Sequence, residues 1–144
     1  MNSHRQAESR PSHILVVDDE VQVLAVAKAI LEAHGFQASI AKSGEAALEI
    51  LNLQAESEAG PIDVVVLDLS MPGGLSGFEV LERVRKQNQE LPIVACSGYF
   101  QDNAREMCQA IGFSDILPKP YTFDQLIAAV RRCMAGEGQF QSSH

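Results

Sequence analysis

The feature that most constrains this chain is a series of short apolar runs, each of strand length, alternating with stretches of helical periodicity. His13-Ile14-Leu15-Val16-Val17 is rich in β-branched residues and apolar almost throughout. A run that is continuous rather than alternating fits a strand buried on both faces. Val23, Leu24, Ala27, Ile30 and Leu31 then recur at helical spacing, and Gly35 after His34 reads as a left-handed cap. The same pattern returns four times. Phe36 to Ala41, Ile62 to Leu67, Leu91 to Ser97 and Phe113 to Leu117 are the further strands. The helices between and after them carry Ala47, Leu48 and Leu51; Phe78, Val80, Leu81 and Val84; Ala104, Met107, Cys108 and Ile111; and Phe123, Leu126, Ile127 and Val130. Ser43 and Thr122 are placed to cap two of them, and Gly112 follows a third. Gln54 to Pro61 is polar, contains Gly60-Pro61 and reads as a loop. Strands separated by helices require a parallel sheet with right-handed crossovers and helices on both faces.

The length of 144 residues suits one domain, expected at 12–135 between flexible segments at 1–11 and 136–144. A net charge of −8 argues against a binder that meets nucleic acid through an extended basic face. Met1 to Ser12 has no apolar core of signal-peptide type, and no segment approaches the roughly 20 apolar residues of a membrane span. Cys96, Cys108 and Cys133 are widely spaced, without metal-ligand spacing, and read as small thiols in a reducing cytosol.

Polar residues fall at strand ends. Asp18 and Asp19 end the first strand, Asp68 the third and Ser97 the fourth, while Lys119 follows the fifth. In a parallel sheet these ends share one edge, so all five converge at one rim. Ligands of open α/β sheets bind there, where strand order reverses. Taking the order 2-1-3-4-5, which is borrowed from known sheets of this type, that point lies between strands one and three and sets Asp18 and Asp19 beside Asp68. Three crowded carboxylates repel one another, and a hard divalent cation relieves the repulsion with the oxygen ligands Mg²⁺ (or Mn²⁺) prefers. A carboxylate is also a competent nucleophile toward phosphorus. Lys119 supplies a point charge and Ser97 a hydroxyl for the equatorial oxygens of a transferring phosphoryl group.

Plainer readings exist for each residue. Asp18-Asp19 could cap a helix, Lys119 could be a surface lysine, and Ser97 could start a turn with Gly98. Arg105, Arg131 and Arg132 read as solvated. His4, His13, His34 and His144 are all off the rim, so a phosphohistidine donor has to come from elsewhere. Glycine-rich nucleotide loops are absent from the sequence.

Val16-Val17-Asp18-Asp19-Glu20, Leu67-Asp68-Leu69-Ser70-Met71-Pro72, Pro92-Ile93-Val94-Ala95-Cys96-Ser97-Gly98 and Leu117-Pro118-Lys119-Pro120-Tyr121 together resemble the receiver domain of bacterial two-component response regulators. The resemblance covers Ser12 to Ala135 and implies a flavodoxin-like (βα)5 fold with strand order 2-1-3-4-5. It implies Asp68 as phosphoacceptor, Asp19 as a direct ligand of Mg²⁺ and Asp18 as one acting mostly through water. The Ser70 backbone carbonyl would be a further ligand. Ser97 and Lys119 would close on the phosphoryl group, and Lys119-Pro120 would be cis. The implied partners are a histidine kinase or histidine phosphotransfer protein as donor, and a downstream protein on the face of helix four, strand five and helix five. Direct contact with nucleic acid or membrane is not expected, nor is turnover beyond slow self-dephosphorylation, and the compartment is the cytoplasm. The loop Gly73-Gly74-Leu75-Ser76-Gly77 is one residue longer than the usual Met-Pro-x-x-x-Gly and looks like the version found in receivers of hybrid histidine kinases. The position that often holds Tyr or Phe is Ile116, with Tyr99 and Tyr121 as possible stand-ins. No output domain is expected within this chain. The rival readings are a phosphate-independent binding module of the same fold, and a phosphatase-like enzyme or flavoprotein using the same rim.

Overall fold

The computed structural model describes residues 10–136. The expected flexible segments at 1–11 and 136–144 therefore lie outside the described residues, apart from Arg10, Pro11 and Gly136. Five strands alternate with five α-helices: β1 (His13–Val17), α1 (Val21–Ala33), β2 (Gln37–Ala41), α2 (Gly44–Asn52), β3 (Val64–Asp68), α3 (Gly77–Gln87), β4 (Ile93–Ser97), α4 (Ala104–Ile111), β5 (Asp115–Pro118) and α5 (Phe123–Met134). The strands form one parallel sheet in the order β2-β1-β3-β4-β5. The expected loop contains a short 3-10 turn at Gln54–Glu56. No helix among the described residues is long and apolar enough to cross a membrane.

The continuous apolar runs are explained by two cores, one on each face. Ile14, Val16, Val64, Val66, Val94 and Cys96 pack with residues of α1 and α5. Their neighbours Leu15, Val17, Val65, Leu67, Ile93 and Ala95 pack with residues of α2, α3 and α4. Successive strand residues point to opposite faces, so both sets must be apolar. The strands start later than the apolar runs do. Ile62, Leu91 and Phe113 precede the ladder but are buried in the second of these cores.

Two helix starts follow their sequence signals, and Ser76 caps a third. The Ser43 side chain accepts from Ala46 N–H, and Ser76 with Glu79 and Thr122 with Gln125 form reciprocal capping boxes. Four residues expected on buried faces are exposed instead: Phe78 (48%), Met107 (57%), Ile111 (49%) and Phe123 (59%). On α4 only Ala104 and Cys108 are buried, and Met107 lies about 100° round the helix from Cys108. Phe78 meets Phe113 edge to face at 6.1 Å, while Phe123 opens α5 at the rim.

Gly77 sets how closely α3 approaches the end of β3. A Cβ there would sit 2.6 Å from the Asp68 carbonyl oxygen and 2.8 Å from Leu69 Cα. Both contacts are backbone and cannot swing aside. Gly77→Ala is expected to cost about 2 kcal/mol through overpacking, read as a lowered midpoint in urea unfolding. An unchanged midpoint would show that α3 can slide outward freely.

Candidate functional site

Each rim residue stands where a strand stops. Asp18 follows β1, with its N–H donating to the Ala41 carbonyl at 3.1 Å, and Asp68 is the last residue of β3. Ser97 closes β4, and its carbonyl accepts from Lys119 N–H at 2.8 Å, which sets the chain leaving β5 against β4. The Lys119-Pro120 peptide is cis.

Asp18 and Asp68 are buried while Asp19 is exposed. Lys119 Nζ lies 2.8 Å from Asp18 Oδ2 and 3.3 Å from Asp68 Oδ2, bridging the two buried carboxylates. The other oxygens are held locally: Asp18 Oδ1 accepts from Glu20 N–H at 2.9 Å and Asp68 Oδ1 from Ser70 N–H at 3.0 Å. Ser97 Oγ accepts from Tyr99 N–H at 2.9 Å. The capping alternative for Asp18-Asp19 is not what the structure shows. The N-cap position of α1 is Glu20, without a side-chain cap bond.

One carboxylate oxygen each from Asp18, Asp19 and Asp68 lies within 4.8 Å of the others. An all-oxygen, carboxylate-rich donor set of this size fits a hard divalent cation such as Mg²⁺. Burial raises the Asp68 pKa above its ordinary value; the Ser70 N–H opposes this, Asp18 adds to it and Lys119 counters it. Burial works against the charge of Lys119, but the hydrogen bond and charge of Asp18, with Asp68 beside it, push its pKa above the ordinary lysine range. Burial pushes the Cys96 thiol, opposite Asp68 in the sheet, up to about 12, so it is no nucleophile here.

The structure thus brings together Asp18, Asp19, Asp68, Ser70, Ser97 and Lys119. A cavity of about 840 Å³ opens on Asp19, Asp68, Ser70 and Lys119, with Tyr99 and Tyr121 also in its lining. Tyr121 is half-buried, and burial, with Cys96 and Asp18 nearby, pushes its phenol up to about 12. Tyr99 is 81% exposed. Ile116 packs against the core beneath α2, α3 and α4.

Two of the arginines read as solvated are exposed, Arg105 at 55% and Arg132 at 44%, and also reach a buried acid. Asp115, at the start of β5, is 2% exposed. Its Oδ2 accepts from Arg132 Nε at 3.1 Å and Nη2 at 2.9 Å, and Arg105 Nη1 lies 3.5 Å from its Oδ1. One buried carboxylate therefore ties α4, β5 and α5. An acid inside the apolar run Phe113 to Leu117 was the signal that a partner was needed. His13 lies at the far end of β1, with Nδ1–H donating to the Gly60 carbonyl at 3.0 Å and Nε2 2.7 Å from Ser39 Oγ. His34 bonds the Ile30 carbonyl, while His4 and His144 fall outside the described residues.

The raised Asp68 pKa carries a stability consequence. The folded state binds this proton more tightly than the unfolded state, so stability falls as pH rises from about 3.8 through the folded value. In metal-free buffer, Asp68→Asn is expected to melt above wild type at pH 7, with the gap closing as pH approaches 3.8. Thermal melts across a pH series check this; a variant melting below wild type at pH 7 would mean that the Lys119 pairing outweighs burial.

Comparison with known proteins agrees with this geometry. Residues 14–131 match the family model of the response regulator receiver domain. The chain is 32% identical over 126 residues to the uncharacterized transcriptional regulatory protein YkoG of Bacillus subtilis (strain 168), covering 88% of this chain and 52% of that protein. It is 31% identical over 118 residues to the transcriptional regulatory protein CpxR of Escherichia coli (strain K12), covering 82% and 47%. The chain thus spans about half the length of these curated relatives. Both are named as transcriptional regulators, so the expectation of no nucleic-acid contact does not match these longer proteins. Among solved structures, the receiver domain of NtrX from Brucella abortus superposes with a TM-score of 0.74 at 32% identity, over 85% of this chain and 98% of that one. The Vibrio cholerae chemotaxis protein CheY4 gives 0.74 at 25% identity, over 85% and 98%.

Proposed function

This chain belongs to the response regulator receiver domain family, and on that footing we propose that it is a phosphoryl-operated switch with Asp68 as the acceptor. The observation that carries the reading is the bridge of Lys119 Nζ to Asp18 and Asp68 beside three converging carboxylates. Asp68 Oδ attacks the phosphorus of a phosphohistidine on a histidine kinase or phosphotransfer protein. The P–N bond breaks, and its electron pair returns to the imidazole. Lys119 neutralises charge on the phosphoryl oxygens, as suits a mobile ammonium. Asp19 directly, Asp18 mostly through water, Asp68 and the Ser70 carbonyl are the groups that would hold Mg²⁺ or Mn²⁺. When bound, that cation supplies further neutralisation of phosphoryl charge.

Once Asp68 carries a dianion, Lys119 has a reason to leave Asp18, and Ser97 Oγ to leave the Tyr99 N–H. These exchanges bias the face of α4, β5 and α5, which the Asp115 clamp makes one mechanical unit, toward a second arrangement that a downstream protein reads. The chain acts as acceptor rather than turnover enzyme, and with such donors it works in the cytoplasm.

Intact-mass spectrometry after incubation with Mg²⁺ and acetyl phosphate is the direct test. Wild type is expected to gain one phosphoryl mass, dependent on Mg²⁺, and Asp68→Asn none. No gain from acetyl phosphate or from a phosphorylated kinase would favour a binding module indifferent to phosphate. Tyr99 stands at the cavity, where its ring shields the acyl phosphate from water. Tyr99→Ala is expected to shorten the lifetime of phosphorylated protein about threefold, close to 0.7 kcal/mol of barrier, and a chase of the phosphorylated mass would reveal an unchanged decay if the ring shields nothing.

A further inference from the structure

The β3–α3 loop, residues 69–76, is one residue longer than the usual Met-Pro-x-x-x-Gly pattern, and its tip lies on α2. At its base the loop is tied to the site, with the Ser70 N–H on Asp68 Oδ1 at 3.0 Å and Met71 buried in the core beside α2, α3 and α4. At the tip the Leu75 N–H donates to Glu45 Oε2 at 3.3 Å, and the half-buried Leu75 side chain packs on that same core. Two glycines let the segments meet. A Cβ on Gly44 would stand 2.9 Å from Leu75 Cβ and 3.1 Å from the Leu75 carbonyl oxygen, and one on Gly74 3.1 Å and 3.2 Å from the Glu45 carboxylate oxygens. Gly73 makes the turn before them at φ +89°. Gly44-Glu45 and Gly74-Leu75 thus interlock, each glycine opposite the other pair's side chain. The helix does not need Glu45 as a cap, because Ser43 already accepts from Ala46 N–H.

We propose that Glu45 is a positioning residue for the cation site, acting through the loop. By holding the tip on α2 it fixes the path of the backbone through Ser70, whose carbonyl is among the groups that would hold Mg²⁺ or Mn²⁺. The proposal rests on that cation site and adds a residue from an element that supplies none of its ligands. A carbonyl on a loose loop must be ordered when the cation arrives, at a cost in conformational entropy, whereas one on a pinned loop is ordered beforehand. Groups behind a metal's ligands influence affinity in this way. Glu45 is exposed and also carries a charge, which attracts a cation without touching the loop. Glutamine separates the two effects, since it keeps an acceptor oxygen for the Leu75 N–H and loses the charge.

The test measures Mn²⁺ affinity, from the electron paramagnetic resonance signal of free Mn²⁺, for wild type, Glu45→Ala and Glu45→Gln. The buffer holds about 0.15 M salt, which screens exposed charges beyond about 8 Å. Both substitutions are on the surface, and no phosphoryl donor is needed. Glu45→Ala is expected to raise the Kd about threefold, the size set by one solvent-exposed hydrogen bond, while Glu45→Gln stays close to wild type. A second readout needs no metal: amide hydrogen exchange at Leu75 is expected to quicken in Glu45→Ala and not in Glu45→Gln. An unchanged Kd in Glu45→Ala overturns the proposal, as does Leu75 exchange that the alanine leaves unaltered. So does a Glu45→Gln protein as weak as Glu45→Ala, which would leave only the charge. In each of these cases Mg²⁺-dependent labelling of Asp68 persists and the acceptor reading stands. A wild type that binds no Mn²⁺ removes the cation site from that reading itself.

Discussion

The constraint on which the site depends is the repulsion between two carboxylates that the sheet buries side by side. Asp18 and Asp68 sit at the ends of adjacent parallel strands, and neither has much contact with water. Lys119 Nζ lies between them. A buried like-charge pair is costly without a counter-charge, and here one ammonium serves both. Much of the local backbone follows from delivering it. The chain leaves β5 with the Lys119 N–H bonded to the Ser97 carbonyl, and Pro120 then turns it toward α5. The carboxylates remain under tension even so, since burial still holds Asp68 above its ordinary pKa. In the proposed switch, that tension is what a cation or a phosphoryl group would relieve, since either changes the charge balance at once.

A second buried carboxylate works in the opposite sense. Asp115 is enclosed as fully as Asp68, but two arginines and the Ile116 N–H satisfy it. It has no open side and no spare charge to exchange. Its role is to join α4, β5 and α5, and α4 needs such an anchor because so little of it is buried. The molecule thus holds one unsettled acid cluster at the rim and one settled acid beneath the face that a partner would read. Lys119 and Asp115 stand at the two ends of the same short strand region, which is the route by which the proposed switch would carry a charge change from the first to the second.

Several elements were legible in the residues alone. Continuous apolar runs declared a sheet covered on both faces, and the capping residues Ser43 and Thr122 declared helix starts. Strand-end acids and Lys119 declared the rim. The reading failed where periodicity is ambiguous by one residue. Met107 and Ile111 fit a helical stripe as well as Ala104 and Cys108 do, and only packing against the sheet chose between them. It was incomplete for Arg105 and Arg132, which are exposed as expected but also pair with the buried Asp115, an opposition that is a matter of three dimensions.

The sequence by itself determined the class of fold, the five alternating units and the identity of the residues that meet at one edge. It could do so because side-chain period and strand-end position are local properties of a chain. Strand order, the sharing of Lys119 between Asp18 and Asp68, the clamp on Asp115 and the docking of the β3–α3 loop on α2 were decided only by tertiary structure. Each depends on distances between segments far apart in the chain, and no local pattern encodes a distance of that kind.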